Sequence, residues 1–197
     1  TSSEALRMKP PFAPWTVTPL VALAGIGLPA LHVPAARAAP AMSPDQAARA
    51  AFPEADRFDA RSIRLSPEQL RSLDAVAPVR QRGELRQIDA WAGSRLLGTL
   101  YVDDVIGKVE WVTYALSIGA DGAVRGLEIL DYRETHGFEV RTPGWRRQFI
   151  GRRADTPFHF GDDIKNISGA TLSCSHLTAG VQRLLAFHAQ LARATPR

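Results

Sequence analysis

Hydrophobic and polar positions follow different rhythms along this chain, and each rhythm predicts a different element. Over residues 172–192, Leu172, His176, Leu177, Gly180, Val181, Leu184, Leu185, His188 and Leu191 recur near helical spacing, which predicts a long amphipathic helix. Residues 85–91, 96–102, 109–118 and 124–132 are rich in β-branched and aromatic side chains and read as strands. Asp121-Gly122 between the last two is a hairpin turn signal. Residues 101–108 read as strand, turn, strand. Ser43-Pro44 and Ser66-Pro67 each set a capping serine before a proline at the first helical position, and Gln69 completes a capping box. The helices they open reach about Phe52 and Val76, with a polar connection between and after them. A looped stretch follows Tyr132 to about Gly161, with a helical turn over 145–150. The fold expected is α+β. A mainly antiparallel sheet over about 85–132 packs against the C-terminal helix, and a small helical lead-in over 39–84 packs on one side.

The N-terminus has a grammar of its own. Met8 and Lys9 precede an apolar run over 20–33, and Ala36-Arg37-Ala38 then offers a small-x-small cleavage site. Pro29 and Pro34 interrupt that run, which is short for a membrane span. Residues 1–38 therefore read as a cleavable secretory signal, with Met8 as a candidate start. The alternative is an uncleaved anchor with the domain outside the cytoplasm.

Charge and composition exclude several classes. The formal net charge is +4, but removing Arg7, Lys9, Arg37 and Glu4 with the signal lowers it to +2. The arginines are scattered among acids and form no basic stripe with interleaved aromatics, so nucleic-acid binding is not supported. Cys174 is the only cysteine, so the chain has no internal disulfide and no CxxC cluster. The five histidines lack paired zinc spacing. His176 and His188 fall on or beside the apolar stripe and read as packed side chains. Redox chemistry would have to come from a cofactor.

Candidate chemistry concentrates just before the last helix, in Ser168-Gly169-Ala170-Thr171-Leu172-Ser173. Small residues let backbone approach a ligand closely, and hydroxyls with free N–H groups at a helix start suit a phosphate. Read from physics alone, such a segment is more often an ordinary helix cap. Cys174 beside it reads as packed, with a reactive thiol as the alternative.

This segment resembles the flavinylation motif of the FMN-binding domain family. That family includes covalent-FMN subunits of the Rnf and sodium-translocating NADH:quinone reductase complexes, and free-standing exported members. A second stretch, Arg133-Glu134-Thr135-His136-Gly137, resembles the family's Glu-Thr-Pro-Gly loop, with His136 in place of proline. Trp145 and Phe149 fall where the family shows an aromatic pair. The resemblance spans about residues 95–190 and implies FMN esterified through its phosphate to Thr171. It further implies a phosphate cradle of Ser168, Gly169, Ala170 and Ser173. Glu134, Thr135, His136 and Gly137 would lie along the flavin, and Trp145 would cover its ring or belong to the core. One departure stands out: Lys165 occupies a position where family members carry an acid, and Asp162 and Asp163 lie two to three residues further upstream.

The expectation is an exported electron-carrier flavoprotein, rather than a stand-alone enzyme, with its FMN-binding domain over 85–192. Its implied partners are an FAD- and magnesium-dependent flavin transferase for maturation and a redox partner, soluble or membrane-bound. The alternative is a non-redox periplasmic binding or sensory domain of the same fold, in which Thr171 only caps a helix.

Overall fold

The computed structural model describes residues 42–194; the signal read over 1–38 lies outside them. Two short helices open the described chain, α1 (Pro44–Ala51) and α2 (Pro67–Val76). Both carry complete capping boxes, in which Ser43 and Ser66 accept from the backbone of Gln46 and Gln69 while those glutamines return the bond. Five strands form one antiparallel meander in chain order: β1 (Arg57–Arg64), β2 (Glu84–Ala92), β3 (Arg95–Ile106), β4 (Trp111–Gly119) and β5 (Val124–Tyr132). After β5 come a 3₁₀ turn (Phe138–Arg141), a single-turn helix α3 (Pro143–Arg146) and a second 3₁₀ turn (Arg147–Phe149). The chain ends in the long helix α4 (Thr171–Ala194). None of the described helices is long and apolar enough to cross a membrane.

The α+β architecture, the capped helices and the helix before the C-terminus match the expectation, and three points correct it. Residues 57–64 are a strand, not a polar connection, and pair with β2 from Arg57 opposite Trp91 to Arg64 opposite Glu84. Six of the eight side chains are exposed, so no apolar alternation marks the strand. Backbone pairing holds it, and its charges suit an exposed edge. Residues 101–106 continue β3 without a turn; the turn falls at Gly107, after which β4 begins at Trp111. The lead-in does not pack on one side. The two helices divide between opposite faces of the sheet.

The period of two along each strand explains that division. Ile88, Leu100, Ala115 and Leu130 point to one face, where Ala47, Ala48 and Phe52 of α1 and its C-cap close a small core. Leu85, Tyr101, Val105, Tyr114 and Leu116 point to the other, where α4 lies, with Leu73 of α2 in the same cluster. Each leucine or phenylalanine buried here contributes about 1.5–3 kcal/mol. The helix approaches the strands closely at Gly180, where a Cβ would stand 2.5 Å from the Tyr114 hydroxyl and 2.9 Å from Val105 Cγ1. At its first turns His176 Nδ1 donates to the Ile106 carbonyl at 2.7 Å, so that nitrogen carries the ring proton.

Polar groups are also locked into this face. Asp103 is buried and accepts from the Tyr114 hydroxyl at 3.0 Å and from the Asp104 amide at 2.8 Å. Burial pushes its carboxyl up to about 6, against those hydrogen bonds and the nearby Arg183 charge. Arg183, itself fully buried, pairs with Asp74 of α2 and so ties α2 to α4.

Gly180→Ala is expected to lower stability by about 1–3 kcal/mol in urea titration, because neither Tyr114 nor the strand behind it has room to yield. Asp103 gives a pH signature. Its folded value lies above the unfolded one, so the protonated group favours the native state below pH ~4 and that contribution disappears as pH rises through about 6. Relative to Asp103→Asn, the wild-type chain should lose about 2 kcal/mol of stability between pH 4 and 7. Parallel urea curves at several pH values measure the difference.

Candidate functional site

The two loops singled out by sequence meet in space. Gly137 follows β5 with φ +87°, a conformation open mainly to glycine. A Cβ there would overlap Ala170 Cβ and stand 2.6 Å from the Tyr132 hydroxyl. The absent side chain at Gly137 is thus what lets the 134–137 loop rest on the residue preceding Thr171. Tyr132, the last residue of β5, braces the junction: its hydroxyl lies 2.6 Å from the His136 carbonyl and 3.4 Å from Ser173 Oγ.

Glu134 secures the same loop from the other side. Its Oε1 accepts from the Val109 and Glu110 amides at 2.7 and 3.0 Å, gripping the β3–β4 turn. A side chain at Gly107 would collide with that oxygen. Burial acts to raise the Glu134 carboxyl, but the Val109, Glu110 and Lys108 amides outweigh it and hold the group below its usual range. It is an anionic clamp on backbone. Thr135 and His136 are exposed, with Thr135 Oγ1 2.9 Å from His136 Nδ1.

The second loop turns sharply into α4. Gly169 takes φ +82° with open space around it, and the Ala170 amide donates to the Ile167 carbonyl at 3.0 Å. Ser168 and Gly169 are exposed, whereas Ala170 and Ser173 are buried. Thr171 is exposed at the first position of α4, and its Oγ1 accepts from Asn166 Nδ2 at 3.0 Å. The first-turn amides of a helix have no intrahelical acceptor and carry the positive end of its dipole, so this hydroxyl stands where an anion is favoured. Phe138 and Leu172 flank the junction with 53% and 48% exposure, which leaves apolar surface beside the Thr171 hydroxyl. Phe138 is held edge-on against Tyr132, with ring centroids 5.5 Å apart.

Trp145 sits inside the core against Phe149, 5.1 Å between centroids. Its Nε1 donates to the Lys165 carbonyl at 2.7 Å, while the Lys165 amide donates to Gln148 Oε1 at 2.8 Å. Together they fix the strand of loop that leads to Asn166 and Thr171. Lys165 Nζ turns back to the Asp162 carbonyl at 3.0 Å. Asp163 is also engaged locally, accepting from the His159 amide and pairing with Arg152, and the His159 bond holds its carboxyl low. Cys174 is wholly buried, and that burial pushes its thiol up, which suits packing rather than nucleophilic attack.

Sequence reasoning did not single out Asn166 or Tyr132 as site residues. Tyr132 reads as the end of a strand, and nothing in the spacing marks Asn166, whose reach to Thr171 depends on the fold of the loop between them. A cavity of about 980 Å³ lies elsewhere, bordered by Leu185 and His188 far along α4. The residues of both motifs lie at the exposed junction rather than at that cavity.

Residues 107–186 match the FMN-binding domain family. Among curated proteins, the chain is 28% identical over 96 residues to one component of the Na(+)-translocating ferredoxin:NAD(+) oxidoreductase complex of Acetobacterium woodii. That alignment takes in 44% of this chain and 45% of the relative, so the chain spans less than half of the relative's length. Among solved structures, Shewanella oneidensis NqrC aligns at 15% identity and a TM-score of 0.46, over 70% of this chain and 81% of that one.

Gly137→Ala forces a side chain into both Ala170 and an unfavourable φ. It should cost about 2–4 kcal/mol in chemical denaturation. It should also broaden or shift the amide resonances of residues 168–173, while those of β1 and β2 stay in place.

Proposed function

The chain belongs to the FMN-binding domain family through residues 107–186, and on that premise we propose that it is an exported electron-carrying flavoprotein whose FMN is esterified to Thr171. The observation that carries this reading is the exposed Thr171 hydroxyl on the first turn of α4, set beside the packed junction of Gly137 and Ala170.

The residues present fit such a group. The α4 amides and the exposed Ser168-Gly169 turn would receive the phosphate, with Asn166 donating beside the ester oxygen. Phe138 and Leu172 offer exposed apolar surface for a flat ring. Thr135, His136 and Gly137 would border it, held in place by Glu134 and Tyr132. Ala170, Ser173 and Trp145 would act from beneath by fixing the loop and the helix start. The flavin supplies the redox chemistry; the chain binds it, orients it and sets its surroundings.

Attachment has a simple balance. The Thr171 hydroxyl attacks the flavin-side phosphorus of FAD, the pyrophosphate bond breaks, AMP leaves and the hydroxyl proton is released. A magnesium-dependent flavin transferase outside the cytoplasm would catalyse that step, the apolar run and the Ala36-Arg37-Ala38 site having directed export. A phosphoester suits a carrier working outside the cytoplasm, where a dissociable flavin is lost by dilution. The electron donor or acceptor is a separate redox protein, a reading supported by the place of the Acetobacterium woodii relative in an oxidoreductase complex.

Lys165 favours one alternative, a binding or sensory domain in which Thr171 stays unmodified. Co-expression with and without a flavin transferase, followed by intact mass measurement, separates the two. The carrier reading predicts a gain equal to FMN less one water, abolished in Thr171→Ala. An unshifted mass beside a control substrate that is flavinylated supports the alternative.

A further inference from the structure

The Thr171 hydroxyl has a neighbour in Asn166, whose Nδ2 donates to Oγ1 at 3.0 Å. Both residues are exposed, and a hydrogen bond open to water adds little to stability. The backbone that carries the donor is nevertheless held on both sides. Upstream, Ile164 is fully buried, the Lys165 carbonyl accepts from Trp145 Nε1 at 2.7 Å, and the Lys165 amide donates to Gln148 Oε1 at 2.8 Å. Downstream, Ile167 packs against the core and its carbonyl accepts from the Ala170 amide at 3.0 Å. Asn166 is thus a polar side chain on a pinned loop, turned towards an oxygen five residues on.

A threonine hydroxyl offers one proton and two lone pairs. The Asn166 donor takes one lone pair, which holds Oγ1 in one rotamer and leaves the other lone pair and the proton for chemistry. The residue before α4 is Ala170, which has no side-chain oxygen to cap the helix, in contrast to Ser43 at α1 and Ser66 at α2. The first-turn amides of α4 are therefore not claimed by a capping side chain at that position, and Asn166 sets a further uncharged donor beside the same oxygen. A carboxylate in its place could only accept, and would repel a diphosphate.

We propose that Asn166 is a positioning residue for flavin attachment: it holds Thr171 Oγ1 ready for attack and then donates to the phosphate that arrives there. The proposal rests on the reading of Thr171 as the attachment site. In that step the bond from Oγ1 to phosphorus forms and the pyrophosphate bond of FAD breaks. AMP leaves with the electron pair, and the hydroxyl proton passes to a base of the flavin transferase.

Two measurements on the full chain test this. Before flavin attachment, three-bond couplings of Thr171 should report a single χ1 rotamer in wild type and averaging in Asn166→Ala. Single-turnover flavinylation with excess transferase, FAD and magnesium, read by intact mass, should slow about tenfold in Asn166→Ala. The transferase concentration giving half the maximal rate should stay within about twofold, because the bond acts on the oxygen and not on docking. Asn166→Asp should be slower still, since it cannot donate. Melting temperatures within ~2 °C of wild type show that neither loss comes from unfolding, and Asn166→Asp, of equal size, carries the comparison if Asn166→Ala does not fold. Averaged couplings in wild type overturn the proposal, as does an Asn166→Ala rate equal to wild type. So does wild-type speed in Asn166→Asp, which would make residue 166 an acceptor for the hydroxyl proton. A wild-type chain that takes no flavin beside a flavinylated control overturns the reading of Thr171 itself, and the role of Asn166 with it.

Discussion

The contact between Gly137 and Ala170 is the constraint on which the rest of the site depends. It joins a loop at the end of β5 to the turn that starts α4, two segments more than thirty residues apart in the chain. Only a residue without a side chain, held at φ +87°, allows the backbones to meet this closely. Tyr132 and Glu134 then convert the contact into a fixed geometry, one reaching His136 and Ser173, the other gripping the β3–β4 turn. The exposed oxygen of Thr171 is therefore positioned by strand ends and a helix start, not by a free loop.

The sheet makes that precision possible because both its faces are covered. The smaller core under Phe52 holds one side, and α4 is seated on the other through Gly180, Tyr114 and Val105. Arg183 and Asp103 place charge in this interior, where burial works against ionisation of Asp103 and the Asp74 pairing ties two helices together. A helix fixed along its length presents its first-turn amides in a constant direction, which is the property an anion site needs.

Much of this was legible in the chain. The capping serines of α1 and α2, the strand runs and the helical spacing over 172–192 each state a local preference that packing reinforces. The two motifs near Gly137 and Thr171 marked the candidate site, although their meeting is a tertiary fact. What escaped has physical reasons. β1 is a charged edge strand, held by backbone pairing, so RFDARSIR carries no alternation to read. Residues 101–106 hide a continuous strand because Asp103 and Asp104 resemble a turn, whereas one is buried against Tyr114 and the other bonds to Thr113. Asn166 reaches Thr171 through loop geometry, and the cavity beside Leu185 and His188 exists only when β2, β3 and α4 are assembled.

The central claim is an ester at one hydroxyl among several in the same stretch. Trypsin, cutting after Lys165 and Arg183, releases residues 166–183, which contain Ser168, Thr171, Ser173, Ser175 and Thr178. Fragmentation of that peptide from matured protein should place the phosphoflavin on Thr171. A peptide found unmodified, or carrying the group on any of the other four hydroxyls, contradicts the account.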